Sequence, residues 1–169
     1  AEHGRDIAAV VMEPVLENLA IVVPDAGYLA GVRAACDAHG VLLIFDEVKT
    51  GLTAGYAGAS QRLGVTPDLI TLAKSIGGGL PLAAFGGRQE VMEVVVDGRM
   101  AHFGTYNGNP LVMAAAMAVD EICTREVLDD VERMLCSGGL RHPAFRLVKA
   151  SERLELGDYA SDVPWRPVP

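Results

Sequence analysis

Three charged side chains, Glu13, Asp46 and Lys74, each stand directly after an apolar run of the sequence. An ionised group beside a buried strand costs free energy unless an opposite charge or a ligand meets it. A lysine in a partly desolvated pocket has a lowered pKa and can form a Schiff base with an aldehyde. An aspartate can keep a ring nitrogen protonated. Asp46 and Lys74 together therefore indicate chemistry at a carbonyl carbon.

Each of the two residues also fits an ordinary role. Asp46 alone fits a helix cap or a salt bridge, and an isolated lysine is usually a solvated surface residue. Lys74, however, ends an apolar run and precedes Gly77–Gly79, where absent side chains leave room for a bulky ligand. Pyridoxal phosphate needs both groups, a lysine for its aldehyde carbon and an acid beside its pyridine nitrogen. We therefore interpret the pair as a site for pyridoxal 5'-phosphate.

The arrangement of apolar segments predicts an α/β fold with a mainly parallel sheet and flanking helices. Ligands of such sheets bind at the carboxyl ends of the strands, which is where the three charged residues fall. The predicted strands are 7–12, 41–45, 68–73 and 82–86. The predicted helices are 27–39, 88–96 and one or two within 111–135, and the predicted loops are 14–26, 51–67 (with a helical turn near 59–63) and 98–109.

Composition narrows the class of protein. The chain has 169 residues, of which 50% are hydrophobic, and its mean hydropathy is +0.27, so it can bury a core. A net charge of −8 argues against nucleic-acid binding. No apolar run reaches the roughly 18 residues of a membrane span, and AEHGRD is not a signal peptide. We expect a cytoplasmic protein.

The cysteines and histidines give no sign of a metal site. The three cysteines are far apart and lack CxxC spacing, which favours reduced thiols. The four histidines show neither HxxxH nor HxH spacing. A nucleotide-binding α/β domain is the weaker alternative, because no GxGxxG or GxxxxGK[ST] motif follows a strand, and 77-GGG-79 has the wrong spacing.

Three segments carry a resemblance to a known family: 44-IFDEVKTG-51, 67-PDLITLAKSIGGGLP-81 and 102-HFGTYNGNPL-111. Together they resemble the class III aminotransferases, pyridoxal-phosphate enzymes of fold type I, and the likeness covers about residues 6–134. Within that family the chain is most similar to the glutamate-1-semialdehyde 2,1-aminomutase branch. One reason is 13-EPVLEN-18, which carries Asn18 where the ornithine- and GABA-type branches usually have a glutamate.

The resemblance implies a role for each matching residue. Lys74 would form the internal aldimine and then relay protons, and Asp46 would pair with the pyridinium nitrogen. Val48 would pack on one ring face. The backbone and hydroxyl of Gly104 and Thr105 would bind the cofactor phosphate across a homodimer interface, although Thr105 could also be an ordinary loop residue. Glu13 and Asn18 would be substrate contacts, although Glu13 could instead contribute to the cofactor pocket or cap the loop that follows it. We expect Glu47 to be structural.

Several features depart from the family pattern. Lys49 stands where relatives usually have Gln or Met near the phenolic oxygen of the ring. We expect residues 1–134 to be part of the cofactor-binding large domain, and 135–169 to be an irregular extension that does not match the family. The family's phosphate loop, stacking aromatic residue and C-terminal small domain lack counterparts, and a truncated or frameshifted reading frame would explain the tail.

The predicted function is amino-group transfer of the aminomutase type on a small amino-acid or amino-aldehyde substrate. Two alternatives stay open: a class III transaminase with a different amino donor, and a truncated, non-catalytic remnant. The resemblance implies a homodimer for full-length members. We expect neither nucleic acid nor membrane as a partner.

Overall fold

The computed structural model describes residues 3, 6–18, 21–136 and 148–149, with the backbone alone over 131–136 and 148–149. The strands are β1 Ala9–Met12, β2 Val22–Val23, β3 Leu42–Asp46, β4 Leu69–Ala73, β5 Ala83–Gly87 and β6 Val148–Lys149. The helices are α1 Tyr28–His39, α2 Thr50–Thr53, α3 Gly58–Leu63, α4 Gln89–Val96, α5 Pro110–Ile122 and α6 Arg125–Cys136, and a 3-10 turn covers Lys74–Gly77.

Four strands form the main sheet in the order β1-β3-β4-β5. The first three are parallel, and β5 runs antiparallel to β4 at the edge. Asp46 on β3 is in register with Thr71 on β4, so the carboxyl ends of these neighbouring strands lie side by side. The predicted α/β fold with a mainly parallel sheet is confirmed.

The predicted strands and helices of the main sheet also match in position. Each observed strand lies within or one residue beyond its predicted range, and α1 and α4 start one residue after theirs. The helical turn predicted near 59–63 is confirmed as α3, and α2, which begins four residues after the end of β3, was not predicted. Pro110 occupies the first turn of α5, and Asn109 caps that turn by accepting from the Leu111 and Val112 N–H groups at 3.0 and 3.3 Å.

A second, two-stranded sheet pairs β2 with β6 in parallel. Val22 is in register with Val148, and Val23 with Lys149. The loop prediction for 14–26 missed β2, since a two-residue strand has no periodicity to detect. Within 135–169, which we predicted to be an irregular extension, Val148–Lys149 is a short strand that pairs with β2. The remaining tail residues lie outside the described part of the chain.

The core lies between α1 and one face of the sheet. Leu43 and Phe45 alternate along β3 and are fully buried, and they form one cluster with Leu29 and Cys36 of α1. The helix ends where Gly40 takes a left-handed backbone, φ +65°, and its N–H donates to the Asp37 and Cys36 carbonyls. This is the geometry that favours glycine at a helix end.

Other apolar surfaces of the described chain are exposed. Val11 points away from the core and is 65% exposed, although parallel sheets are usually covered on both faces. Helix α5 likewise exposes large apolar side chains: Leu111, Met113, Met117 and Ile122.

The amino ends of β3 and β4 are joined by one buried carboxylate, that of Asp68. Its oxygens accept from the Leu43 N–H at 2.7 Å, from Arg33 of α1 at 2.8 Å and from Arg88 after β5 at 2.9 Å. Burial acts to raise the pKa of Asp68, but the hydrogen bonds from Leu43, Arg33 and Arg88 outweigh it, so the pKa lies below its ordinary value. This network fixes the edge of the sheet opposite the candidate site.

Candidate active site

Asp46 ends β3 with a carboxylate that is only half used. Its Oδ1 accepts from the Val48 N–H at 3.0 Å and from the Thr71 hydroxyl at 3.3 Å. No donor among the described residues reaches Oδ2. The side chain is half-buried, so one oxygen anchors the carboxylate while the other can accept a hydrogen bond from a ligand.

Lys74 directly follows β4, the strand next to β3 in the sheet. Its backbone is left-handed, φ +53°, which is uncommon for a residue with a side chain and is often found at functional sites. The residue is exposed, and no carboxylate of the described residues lies within 4.0 Å of its ammonium. Lys74 is therefore an unpaired amine that follows the strand next to the one that ends in Asp46.

Two helices pack against the 3-10 turn that carries Lys74. They are α2 and α5. Val119 of α5 comes so close to Gly78 that an added Cβ would meet its Cγ2 at 3.0 Å. The backbone at Gly78 is also left-handed, φ +57°, so glycine is required there on both grounds.

Glu47 is turned away from the Asp46–Lys74 edge. Its carboxylate is buried, 2% exposed, and accepts from the Thr50 hydroxyl at 3.1 Å and from the Ala59 and Ser60 N–H groups at 2.6 and 3.0 Å. A Cβ on Gly58 would overlap this carboxylate. Glu47 thus caps the first turn of α3, and its predicted structural role is confirmed.

Glu13 follows β1 and lines an open groove of about 550 Å³. One carboxylate oxygen accepts from the Glu17 N–H at 3.3 Å, so Glu13 caps its own loop. Neither Asp46 nor Lys74 lines this groove. Besides Glu13 and Asp25, the lining residues are apolar or aromatic: Val11, Met12, Pro14, Leu16, Val22, Pro24 and Tyr28. The groove is therefore distinct from the Asp46–Lys74 edge.

Asn18 and Lys49 form a contact that sequence reasoning missed. The Lys49 Nζ donates to the Asn18 Oδ1, linking the loop after β1 to the loop after β3. Both residues had been singled out separately, but nothing in a spacing of 31 residues marks them as partners. Thr71 was also missed as a partner of Asp46, although its place two residues before the end of β4 is compatible with that contact.

Gly104 and Thr105 lie on an exposed loop before α5. The Asn107 N–H donates to the Gly104 carbonyl at 3.0 Å, and the Asn107 side chain folds over Gly104 so closely that a Cβ there would clash. No hydrogen bond joins Thr105 to Asp46 or Lys74 in the described structure. The structure thus joins Val48 to Asp46 at the end of β3 and places Lys74 after the end of the neighbouring strand β4, and it leaves the loop of Thr105 open to solvent.

The described residues contain no cluster of three or more His, Cys, Asp or Glu side chains that could hold a metal ion. None of their helices is long and apolar enough to cross a membrane. The groups present at the carboxyl edge fit pyridoxal phosphate, because an unpaired amine and a free carboxylate oxygen are the two groups that its aldehyde and its ring nitrogen require.

Comparison with known proteins decides the family. A profile of the family described as aminotransferase class-III matches residues 1–136. The chain belongs to the class III aminotransferase family. Asp46 and Lys74 both lie inside the matched range. The family's cofactor is pyridoxal phosphate, and one solved neighbour is described as a transaminase with PLP bound, at 33% identity and a TM-score of 0.70, over 74% of this chain and 30% of that one.

Two other proteins show how similar this class III chain is to individual relatives. The glutamate-1-semialdehyde 2,1-aminomutase of Nitratidesulfovibrio vulgaris is 52% identical over 126 residues, which are 74% of this chain and 30% of the relative. The β-phenylalanine aminotransferase structure from Variovorax paradoxus is 37% identical with a TM-score of 0.74, and the match covers 80% of this chain and 32% of that one. The class III chain thus spans about a third of the length of these relatives.

Proposed function

We propose that this chain carries the lysine-bearing part of a pyridoxal-phosphate site for amino-group transfer of the glutamate-1-semialdehyde 2,1-aminomutase type. The observation that supports it is that the unpaired amine of Lys74 and the carboxylate of Asp46 follow neighbouring parallel strands, and that no donor of the described residues reaches Asp46 Oδ2. The 52% identity to an aminomutase favours this reaction over others of the family. In this reaction the amino group moves between adjacent carbons of one substrate.

The cofactor supplies an electrophilic aldehyde carbon and a ring that accepts electrons. Lys74 would hold the cofactor through Nζ at the aldehyde carbon, and its freed amine would carry protons to and from the substrate carbon that loses or gains the amino group. Asp46 would accept a hydrogen bond from the ring nitrogen through Oδ2 and would keep that nitrogen protonated. The Thr71 and Val48 hydrogen bonds to Oδ1 hold the carboxylate in this orientation.

The remaining residues have supporting roles in this proposal. Val48 packs on the ring, and Glu13 lies on the substrate side. The exposed loop of Gly104 and Thr105 binds the phosphate of a second subunit's site in a homodimer, which accounts for its lack of contact with Asp46 and Lys74 within one chain. Residues 1–134 are the cofactor-binding part, 135–169 are an extension outside it, and the protein acts in the cytoplasm on a small amino acid or amino-aldehyde.

The sequence makes a labelling experiment unusually clean, because the chain contains only three lysines: Lys49, Lys74 and Lys149. Protein incubated with pyridoxal phosphate is reduced with borohydride, digested and mapped by mass spectrometry. We expect the label on Lys74, with Lys49 and Lys149 as internal references. Asp46→Asn should weaken the labelling of Lys74. Equal label on all three lysines, or none, would contradict the proposal and favour a non-catalytic remnant.

A class III transaminase is the second candidate, favoured by the TM-score of 0.74 to the β-phenylalanine aminotransferase. The two reactions differ in stoichiometry, since an aminomutase needs no separate amino acceptor. Turnover of a single amino-aldehyde without added oxo acid would support the aminomutase. Turnover that requires an oxo acid would assign the transaminase.

A further inference from the structure

The loop that precedes α5 is joined to the sheet by an aromatic contact. The ring of His102 meets the ring of Phe85 on β5 edge to face, with centroids 5.1 Å apart and planes at 87°. Phe85 is in register with Thr71 of β4, and residues directly opposite each other in an antiparallel pair share one face of a sheet. On that face the Thr71 hydroxyl donates to Asp46. His102 therefore docks the loop on the face of the sheet that carries the Asp46 carboxylate.

Asn107 connects His102 to the backbone of Gly104. The Asn107 Nδ2 lies 3.4 Å from His102 Nε2, which accepts this hydrogen bond when the nitrogen carries no proton. The Asn107 N–H donates to the Gly104 carbonyl at 3.0 Å and closes a turn over 104–107. The Asn107 Oδ1 would lie 2.6 Å from a Cβ at position 104, so glycine leaves the space that the Asn107 side chain fills. The side chain and the backbone of Asn107 thus shape the same turn.

This turn presents two consecutive backbone N–H groups to solvent. Gly104 and Thr105 are exposed, and no acceptor among the described residues takes the N–H of either one. Successive free N–H groups in a turn attract an anion such as phosphate. The stretch is neither helix nor strand, so its shape depends on the side chains that hold it, and His102 and Asn107 supply such contacts.

We propose that His102 and Asn107 are positioning residues for the binding of phosphate by Gly104 and Thr105. This inference rests on the proposed function, which assigns the phosphate to this loop, and it adds the two side chains that shape the loop. His102 anchors the loop on Phe85, and Asn107 links that anchor to the turn. Neither side chain is a ligand of the phosphate, so the loss of either one weakens phosphate binding and leaves the Asp46–Lys74 edge intact.

The test follows the backbone amide signals of Gly104 and Thr105 in ¹H–¹⁵N spectra as inorganic phosphate is added, with chloride at matched ionic strength as the reference. We expect saturable shifts with phosphate in the native chain. Hydrogen bonds to charged groups are worth about 1.5–3 kcal/mol, so misplaced amides in His102→Ala and Asn107→Ala should raise the dissociation constant by about tenfold or more. The matched control is His39→Ala, which removes an exposed histidine from the end of α1 and should leave phosphate binding unchanged.

A second readout separates positioning from a general loss of stability. Lys74 is labelled with pyridoxal phosphate and, in parallel, with pyridoxal, which lacks the phosphate, and both products are reduced with borohydride. His102→Ala and Asn107→Ala should lower the labelling by pyridoxal phosphate alone. An equal loss with both compounds would overturn this inference, because it would show that the two side chains only support the fold.

Two results in the amide spectra would also overturn it: amide signals of Gly104 and Thr105 that phosphate leaves unshifted in the native chain, and a native phosphate affinity in either variant. The two proposals fail separately. Labelled Lys74 together with a native phosphate affinity in the variants removes only this inference. Phosphate binding that the variants weaken, together with Lys74 unlabelled by either compound, removes only the proposed function.

Discussion

Asp68 and Asp46 are carboxylates of neighbouring strands in one sheet, and they lie at opposite ends of those strands. Asp68 lies at the amino end of β4, is 3% exposed, and has both oxygens occupied by Leu43, Arg33 and Arg88. Asp46 lies at the carboxyl end of β3, is half-buried, and keeps Oδ2 without a protein donor. An aspartate thus has its hydrogen-bonding capacity filled by the protein at the amino ends of the strands, whereas an aspartate at the carboxyl ends keeps one oxygen available to a ligand.

The difference shows how a structural carboxylate can be told from a candidate for chemistry. A buried group whose hydrogen-bonding capacity is filled by the protein contributes to stability. A group held in place by one oxygen, with the other left free, is available to a ligand. Glu47, adjacent to Asp46 in sequence, is a carboxylate of the first kind, because its oxygens accept from three protein donors.

The largest effect on stability is expected at Asp68. Asp68→Ala removes the shared partner of Arg33 and Arg88 and leaves the Leu43 N–H without an acceptor. Breaking a buried ion pair by removing one partner costs about 3–5 kcal/mol, and we expect a loss in this range in the free energy of unfolding by urea. Asp97→Ala is the control, because its pair with Arg99 is exposed and should change stability by less than about 1 kcal/mol. Equal losses in the free energy of unfolding of the two variants would contradict the structural role of Asp68.

The pH dependence of stability should come from the same carboxylate. The folded-state pKa of Asp68 lies below its ordinary value, which is about 4, so the unfolded chain takes up the proton first. The contribution of Asp68 is therefore complete above about pH 4 and is lost as the pH falls through the folded-state pKa. Urea midpoints measured from pH 6 downward should fall more steeply for the native chain than for Asp68→Asn. Parallel curves would show that other groups control acid unfolding.

A smaller loss is expected for Glu47→Ala, which leaves the Thr50 hydroxyl and the Ala59 and Ser60 N–H groups without their acceptor. Unsatisfied buried donors cost about 1–3 kcal/mol, so we expect about 2 kcal/mol in the urea experiment. Labelling of Lys74 by pyridoxal phosphate should continue at low denaturant. Lost labelling in a variant that is still folded would move Glu47 from the structural kind to the functional kind.

The smallest effect on stability is expected at Lys74. Lys74→Ala removes an exposed, unpaired side chain and should change the free energy of unfolding by no more than about 0.5 kcal/mol. Relief of the left-handed backbone cannot be the source of a gain here, because alanine also disfavours φ +53°. A loss above about 2 kcal/mol would mean that Lys74 is part of the structural framework.

Sequence reasoning predicted the sheet and most of the helices, and it placed Asp46 and Lys74 after two strands that prove to be neighbours, because apolar runs can be read locally from the sequence. It did not predict the Asp68 network, because a carboxylate in a Pro-Asp-Leu turn carries no mark of two arginines that lie 35 and 20 residues away. The Asn18–Lys49 bond and the left-handed backbone of Lys74 were also beyond it, since both depend on how loops from different strands meet.

The most direct test of the Asp46–Lys74 site is the urea midpoint of the chain with and without pyridoxal phosphate. A ligand that binds only the folded state at about 100 times its Kd stabilises that state by about 3 kcal/mol. We predict a rise in the midpoint for the native chain that is absent from Lys74→Ala. No rise, or an equal rise in the variant, would show that the edge formed by Asp46 and Lys74 does not bind the cofactor.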